Sequence, residues 1–183
     1  MTQEQKPEER KKRRTATEAA SKIGPMVKAA ITECLRAKEE GKRTAYTFIC
    51  CCYDEIIRAM DIVPIWTENY AAVCGAKRDA QRFLEKAEAE YFSRSLCTYA
   101  LCGLGFDAWR KELGDMPPNP PWGGQARPDM MLGTGQTLCD PRNKWYKAAK
   151  HYMPDVPIYD VGFAWPPYEY DYEIGRASCR ERV

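Results

Sequence analysis

Two cysteines occupy positions where a thiol is suited to metal chemistry. Cys97 lies in the predicted first turn of a helix, within SLCTYALCGLGF at residues 95–106. Cys139 directly precedes Asp140-Pro141, which is typical of a helix N-cap followed by proline at the first helical position. A helix N-terminus favours negative charge and therefore the thiolate, the form that binds metals. The pattern suits two ligands of one iron–sulfur cluster, although two small buried side chains would fit it equally well.

The other cysteines of the domain are predicted to pack in its core. Cys102 lies five positions after Cys97, about 140° away around a helix, so the pair does not face one ion. Cys50–Cys52 alternate between the two faces of a strand, which favours packing over a shared redox or ligand role. Cys34 and Cys74 fall on or beside apolar helix positions.

Glu55 is a candidate catalytic carboxylate. It is predicted to begin a helix directly after a strand, so it leaves a strand end that could face the same cleft as Cys97 and Cys139. A carboxylate in the first turn also stabilises the helix dipole, which is the simpler role for Glu55.

The composition indicates a protein of a reducing compartment. Nine cysteines accompany a charged N-terminus without the apolar region of a signal peptide, so free thiols and a cytoplasmic location are expected. No run is apolar enough for a membrane span. The basic run at residues 11–14 is preceded by glutamates in a chain of net charge +2. We therefore expect a solvated terminus, with no nucleic-acid partner and no membrane partner.

The apolar patterns predict an α/β fold, in which a parallel Rossmann-like sheet follows an N-terminal helical segment. Strands are predicted over residues 44–53, 63–66, 129–134 and 156–164. Helices are predicted from Thr15 or Thr17 to Gly41, over 55–62 with Asp54 as N-cap, over 67–91, from Ser93 or Ser95 to Leu113, and over 142–152. The last two strands and the helix between them form a βαβ unit. In such units ligands bind at the loops that leave the carboxyl ends of strands, and Cys139 lies in that loop.

Three segments are distinguished by composition. Residues 1–20 are expected to form a disordered basic N-terminus, and residues 21–172 an N-terminal Rossmann-like α/β domain of a truncated, incomplete protein. Residues 173–183, EIGRASCRERV, lack periodicity and resemble a translated sequencing adapter. We expect this tail to be non-native, so Cys179 enters no chemical argument, and we expect the native chain to continue beyond about Tyr172.

Four segments in order resemble subunits of 2-hydroxyacyl-CoA dehydratases and ATP-dependent benzoyl-CoA reductases. They are ENYAAVCGAKRDAQRFLEKAEA, SLCTYALCGLG, RPDMMLGTGQTLCDPRNKWYKAAK and VPIYDVGF. The likeness covers roughly residues 20–165 and is greatest to a cluster-bearing benzoyl-CoA reductase subunit, through LCTY, PDMMLGTGQTLC and NKWY.

The resemblance implies a [4Fe–4S] cluster held by three cysteines. Cys97 is similar to the first ligand and Cys139 to the second, and the third would lie in the missing C-terminal half. Glu55 matches an acidic position near the substrate cleft of the family, whereas Cys50–Cys52 replace the proline or glycine that family members often carry there.

The resemblance also implies an activity and its partners. The expected reaction is one-electron reduction of an aromatic acyl-CoA thioester, and the alternative is the radical dehydration of a 2-hydroxyacyl-CoA. A homologous second subunit and an ATP-dependent activator that donates electrons are the expected protein partners. The 183 residues alone are expected to be inactive.

Two further classes of protein compete with an enzyme subunit. A non-catalytic structural subunit would use the cysteines for packing only. A zinc-binding module is disfavoured, because no Cys-x2-Cys or Cys/His pair has zinc spacing.

Overall fold

A computed structural model describes residues 17–48, 53–133 and 139–160. The helices are α1 (Glu18–Glu39), α2 (Asp54–Ala59), α3 (Thr67–Ala76), α4 (Ala80–Ala89), α5 (Thr98–Leu113) and α6 (Asp140–Ala149), and the strands are β1 (Arg43–Thr47), β2 (Ile62–Trp66), β3 (Met130–Gly133) and β4 (Ile158–Asp160). The strands form one sheet in the order β2-β1-β3-β4, and every pairing is parallel. The predicted α/β fold, with its parallel sheet and N-terminal helix, is confirmed.

The two faces of the sheet are covered by different helices, because successive side chains of a strand point to opposite faces. Ala45 and Ile62 lie on one face, where Ile57 of α2 packs on them. Tyr46 and Met131 lie on the other face, in the main core with residues of α1, α5 and α6. Strands β1, β2 and β3 are short and mostly buried on both faces, as expected for a parallel sheet, whereas the edge strand β4 is largely exposed.

The predicted helix over residues 67–91 is wrong, because the chain breaks into α3 and α4. Arg78 between them adopts the left-handed conformation, with φ 59°, which a continuing helix cannot contain. The break turns α4 so that Phe83 and Ala87 become fully buried against α5. Lys77 is the C-cap of α3, where it is exposed and its Nζ lies 5.8 Å from the ring centroid of Trp122.

Helix α5 packs on α4 with almost no space between the backbones. A Cβ atom on Gly105 would lie 1.8 Å from the carbonyl oxygen of Phe83, so only glycine allows this approach. The helix ends at Leu113, as predicted, and Gly114 is its C-cap with a positive φ of 68°. The GLG sequence of residues 103–105 is therefore a packing feature.

Several predicted helix ends need correction. Of the two predicted N-cap candidates, Thr15 and Thr17, Thr17 is the N-cap of α1. Its Oγ1 accepts a hydrogen bond from Ala20 N at 3.2 Å. Helix α1 thus begins at Glu18, within the segment predicted to be disordered. The N-cap of α2 is Tyr53 and not Asp54, and Ser93 and Ser95 do not cap α5. The predicted strand residues 49–52 and 161–164 lie outside the described residues.

A buried polar network joins β1 to α5. Tyr46 Oη donates to Asp107 Oδ1 at 2.9 Å, and Arg110 Nη2 donates to the same oxygen at 2.6 Å. Arg110 Nη1 donates to the carbonyl oxygen of Gln125 at 3.1 Å, which ties the loop before β3 to this network. Burial raises the pKa of Asp107, although Arg110 and the Tyr46 hydroxyl act in the opposite direction. In the three described ranges, no helix is long and apolar enough to cross a membrane.

Candidate functional site

Helices α5 and α6 lie side by side and run in the same direction. Gly103 of α5 lies against the indole of Trp145 of α6, where a Cβ atom would be only 2.1 Å from Cζ2. Towards the C-terminal end of α5, Lys111 Nζ donates to the carbonyl oxygen of His151, just after α6, at 3.1 Å. The contacts advance towards the C-terminus on both segments together, so both helices begin at the same end of the pair. Since α6 connects the end of β3 to the start of β4, that end is the carboxyl edge of the sheet.

Cys97 and Cys139 are the N-cap residues of these two helices. Cys97 is half-buried and packs on the core cluster that contains Phe48, Ala100 and Trp145, whereas Cys139 is exposed. Both residues thus lie at helix N-termini on the carboxyl edge of the sheet. Helix α5 begins later than expected, because Cys97 was predicted inside its first turn, whereas α6 begins one position earlier than expected, because Cys139 was predicted just before its N-cap.

The donor set is chemically suited to an iron–sulfur cluster. Thiolates are the ligands that such clusters use, and the positive ends of two helix dipoles favour the negative charge of a thiolate-bound cluster. The aromatic side chains beneath Cys97 supply an apolar floor, which lowers the access of water to a bound cluster. Within the described part of the chain, no group of three or more His, Cys, Asp or Glu side chains is placed to hold a metal ion. Ligation by Cys97 and Cys139 stays a prediction.

The other described cysteines lie in the core, as predicted for packing residues. Cys34, Cys74 and Cys102 are all buried, and Cys102 belongs to the cluster formed by α3, α4 and α5. The neighbouring Cys74 thiol and burial both raise the pKa of Cys102, so this thiol stays protonated. Cys50–Cys52 lie outside the described residues.

Glu55 lies in the first turn of α2 with its side chain exposed. Helix α2 covers the face of the sheet opposite to α5 and α6. Its neighbour Asp54 makes the contacts to the strand ends, since it accepts hydrogen bonds from Thr47 Oγ1 at 3.3 Å and from Trp66 Nε1 at 2.8 Å. A catalytic role for Glu55 stays a prediction.

Arg142, one helical turn after Cys139, and its ion-pair partner Glu68 were not identified from the sequence. Arg142 lies in the first turn of α6, and its Nη2 is 3.4 Å from Glu68 Oε2 in the first turn of α3. The guanidinium also lies over the ring of Phe48, 4.9 Å from its centroid. Their positions after predicted strands were visible in the sequence, but the spacing of 74 residues gave no sign that they pair.

Comparison with known proteins matches residues 50–179 to the family described as 2-hydroxyglutaryl-CoA dehydratase, D-component. The (R)-phenyllactyl-CoA dehydratase alpha subunit of Clostridium sporogenes is 28% identical over 128 residues, which cover 68% of this chain and 28% of the relative. The (R)-2-hydroxyisocaproyl-CoA dehydratase alpha subunit of Clostridioides difficile is 27% identical over 142 residues, which cover 77% of this chain and 32% of the relative.

A third relative is the lactoyl-CoA dehydratase subunit alpha of Anaerotignum propionicum, 29% identical over 117 residues, or 60% of this chain and 27% of the relative. The chain spans less than a third of the length of each of these relatives. The three names describe dehydratases, so they support the alternative reaction and not the benzoyl-CoA reductase expected first. The family match covers well over half of the sequence, and the chain belongs to the 2-hydroxyglutaryl-CoA dehydratase D-component family.

Proposed function

We propose that this chain is part of a cluster-bearing subunit of a 2-hydroxyacyl-CoA dehydratase. The observation that carries the proposal is the pair of N-cap cysteines, Cys97 and Cys139, at the carboxyl edge of the sheet in a chain of this family. The named relatives act on phenyllactyl-, 2-hydroxyisocaproyl- and lactoyl-CoA, which are all 2-hydroxyacyl thioesters. A 2-hydroxyacyl-CoA is therefore the proposed substrate class.

The proposed reaction removes water across the 2,3-bond of the acyl group. The bonds from C2 to the hydroxyl oxygen and from C3 to hydrogen break, a C2–C3 double bond forms, and no net oxidation occurs. The C3 hydrogen is not acidic in the substrate, because it is β and not α to the thioester carbonyl. A [4Fe–4S] cluster supplies the one-electron chemistry that overcomes this difficulty, with the electron delivered by an ATP-dependent activator.

The residues of this chain hold and shield the cluster in this proposal. Cys97 and Cys139 bind as thiolates, and helices α5 and α6 present them from one edge of the sheet. Phe48 and Trp145, with ring centroids 5.5 Å apart, belong to the apolar cluster on which Cys97 packs, and this cluster limits the approach of water from that side. A third cysteine is proposed to come from a part of the subunit that these 183 residues do not contain. A homologous second subunit and the activator complete the proposed enzyme.

The proposal is tested on the complete subunit, produced with its second subunit and its activator under anaerobic conditions. After addition of iron and sulfide, the complex is incubated with ATP, reductant and either lactoyl-CoA or benzoyl-CoA. We expect conversion of the 2-hydroxyacyl-CoA to its 2-enoyl-CoA and no conversion of benzoyl-CoA. Dearomatisation of benzoyl-CoA alone would establish the reductase instead, and a complex without bound iron would establish a non-catalytic subunit.

A further inference from the structure

The guanidinium of Arg142 lies one helical turn after Cys139. The backbone N–H of Arg142 donates to the carbonyl oxygen of Cys139 at 3.1 Å, so the two residues close the first turn of α6. The side chain of Arg142 is only 17% exposed, and that of its partner Glu68 is 23% exposed. Ion pairs at the surface contribute little to stability, but a pair that is mostly shielded from water holds its geometry more strongly.

Arg142 contacts two other elements at the same edge of the sheet. Glu68 belongs to the first turn of α3, and Phe48 directly follows β1. The planar guanidinium therefore joins the start of α6 to the start of α3 and to the end of β1. Phe48 is also part of the cluster on which Cys97 packs. A contact chain thus runs from Cys139 through Arg142 and Phe48 towards Cys97.

A second contact between α6 and α3 lies further along α6 and holds the middle of that helix in place. The hydroxyl groups of Tyr146 and Thr67 are 3.1 Å apart in a hydrogen bond, and the ring of Tyr146 stacks on Phe48 with centroids 4.1 Å apart. Arg142 adds a contact from the first turn of α6, through Glu68 and Phe48. The exposed Lys144 of the same helix makes none of these contacts in the described residues and offers a matched control.

We propose that Arg142, paired with Glu68, is a positioning residue that holds Cys139 towards Cys97. The guanidinium, held over the ring of Phe48, would also place a positive charge near a cluster bound by Cys97 and Cys139. This inference rests on the proposed function only for the role of the charge, since the positioning of the two thiols is a property of the chain itself.

The positioning is tested on the 183-residue chain by cross-linking with a short aromatic bismaleimide. Peptide mapping by mass spectrometry measures the yield of the Cys97–Cys139 cross-link, and circular dichroism checks that each variant is folded. We expect a clear yield in the unaltered chain, and a several-fold lower yield in Arg142→Gln and in Glu68→Gln. Lys144→Gln should match the unaltered chain, and Arg142→Lys should recover part of the yield because it keeps the charge. Equal yields in all variants, or no cross-link in the unaltered chain, would overturn the positioning role.

The role of the charge is tested by redox titration of the complete, cluster-loaded subunit followed by EPR. Arg142→Gln removes a positive charge and should lower the midpoint potential, whereas Glu68→Gln removes a negative charge and should raise it. A purely structural pair would shift both potentials in the same direction or not at all, and that result would contradict the electrostatic role. If the unaltered subunit binds no cluster, the proposed function fails, but the cross-linking result still decides the positioning.

Discussion

The substitution Gly105→Ala should destabilise the protein although it improves helix propensity. The new methyl group would lie 1.8 Å from the Phe83 carbonyl oxygen, whereas carbon and oxygen atoms normally approach to about 3.3 Å. Helices α4 and α5 must therefore separate by roughly 1.5 Å at this point, because the obstacle is backbone and cannot rotate away. The tilted ring contact of Phe83 with Phe106, at a centroid distance of 5.4 Å, is weakened by the same movement.

Overpacking of this kind costs about 3 kcal/mol at the upper end of its usual range, and alanine in place of glycine returns about 1 kcal/mol within a helix. The net expectation is a loss of about 2 kcal/mol in the free energy of unfolding, measured by urea denaturation followed by circular dichroism. For a chain of this size this corresponds to a fall in Tm of roughly 4–8 °C.

A matched control is available in α3. Gly75 lies inside a helix, and a Cβ atom there would meet nothing within 4 Å. Gly75→Ala should therefore raise the free energy of unfolding by about 0.5–1 kcal/mol. If Gly105→Ala were as stable as the unaltered protein, or stabilised it like Gly75→Ala, the close approach of α4 to α5 would be refuted.

Three further predictions concern charge and thiols. Asp107→Asn leaves the Arg110 guanidinium buried without its carboxylate and should cost about 3–5 kcal/mol in urea denaturation at neutral pH; a loss below about 1 kcal/mol would contradict the buried pair. The hydrogen bond from Arg58 lowers the pKa of Glu33 in the folded state. The Glu33–Arg58 pair therefore stabilises the fold above the unfolded-state pKa of Glu33, and this stabilisation is lost as the pH falls through its folded-state pKa. The Glu33→Gln variant should thus be less stable than the unaltered protein at pH 7, and the difference in the free energy of unfolding should shrink as the pH falls below the unfolded pKa of Glu33; a difference independent of pH would argue against the pair. In the native state Cys139 should react with iodoacetamide long before the buried cysteines of α1, α3 and α5, as followed by mass spectrometry, and equal rates would contradict their burial.

The parallel sheet could be predicted because its signals are local. Asp140-Pro141 after a loop, between two β-rich runs, predicts the β3–α6–β4 unit, and parallel strands with such a connection place Cys139 at the carboxyl edge. Gly114 predicts the end of α5 for a similarly local reason, since glycine accepts the left-handed conformation.

The features that failed or were missed depend on contacts between distant residues. Apolar spacing alone favours one helix over residues 67–91. The energetic cost of the left-handed conformation of Arg78 is compensated by the burial of Phe83 on α5. The pairing of Glu68 with Arg142 likewise requires the sheet order, which places the starts of α3 and α6 at one edge. Periodicity describes a single segment and carries no information about which segments meet.

The shared role of Cys97 and Cys139 is tested most directly by iron analysis and EPR of the complete subunit after anaerobic addition of iron and sulfide. Cys102→Ser, on the same helix as Cys97 but in the α3–α5 core, is the matched control. We expect the double variant Cys97→Ser, Cys139→Ser to lose the [4Fe–4S] signal and its bound iron, while Cys102→Ser keeps both. Full cluster signal in the double variant would contradict the assignment of these two cysteines.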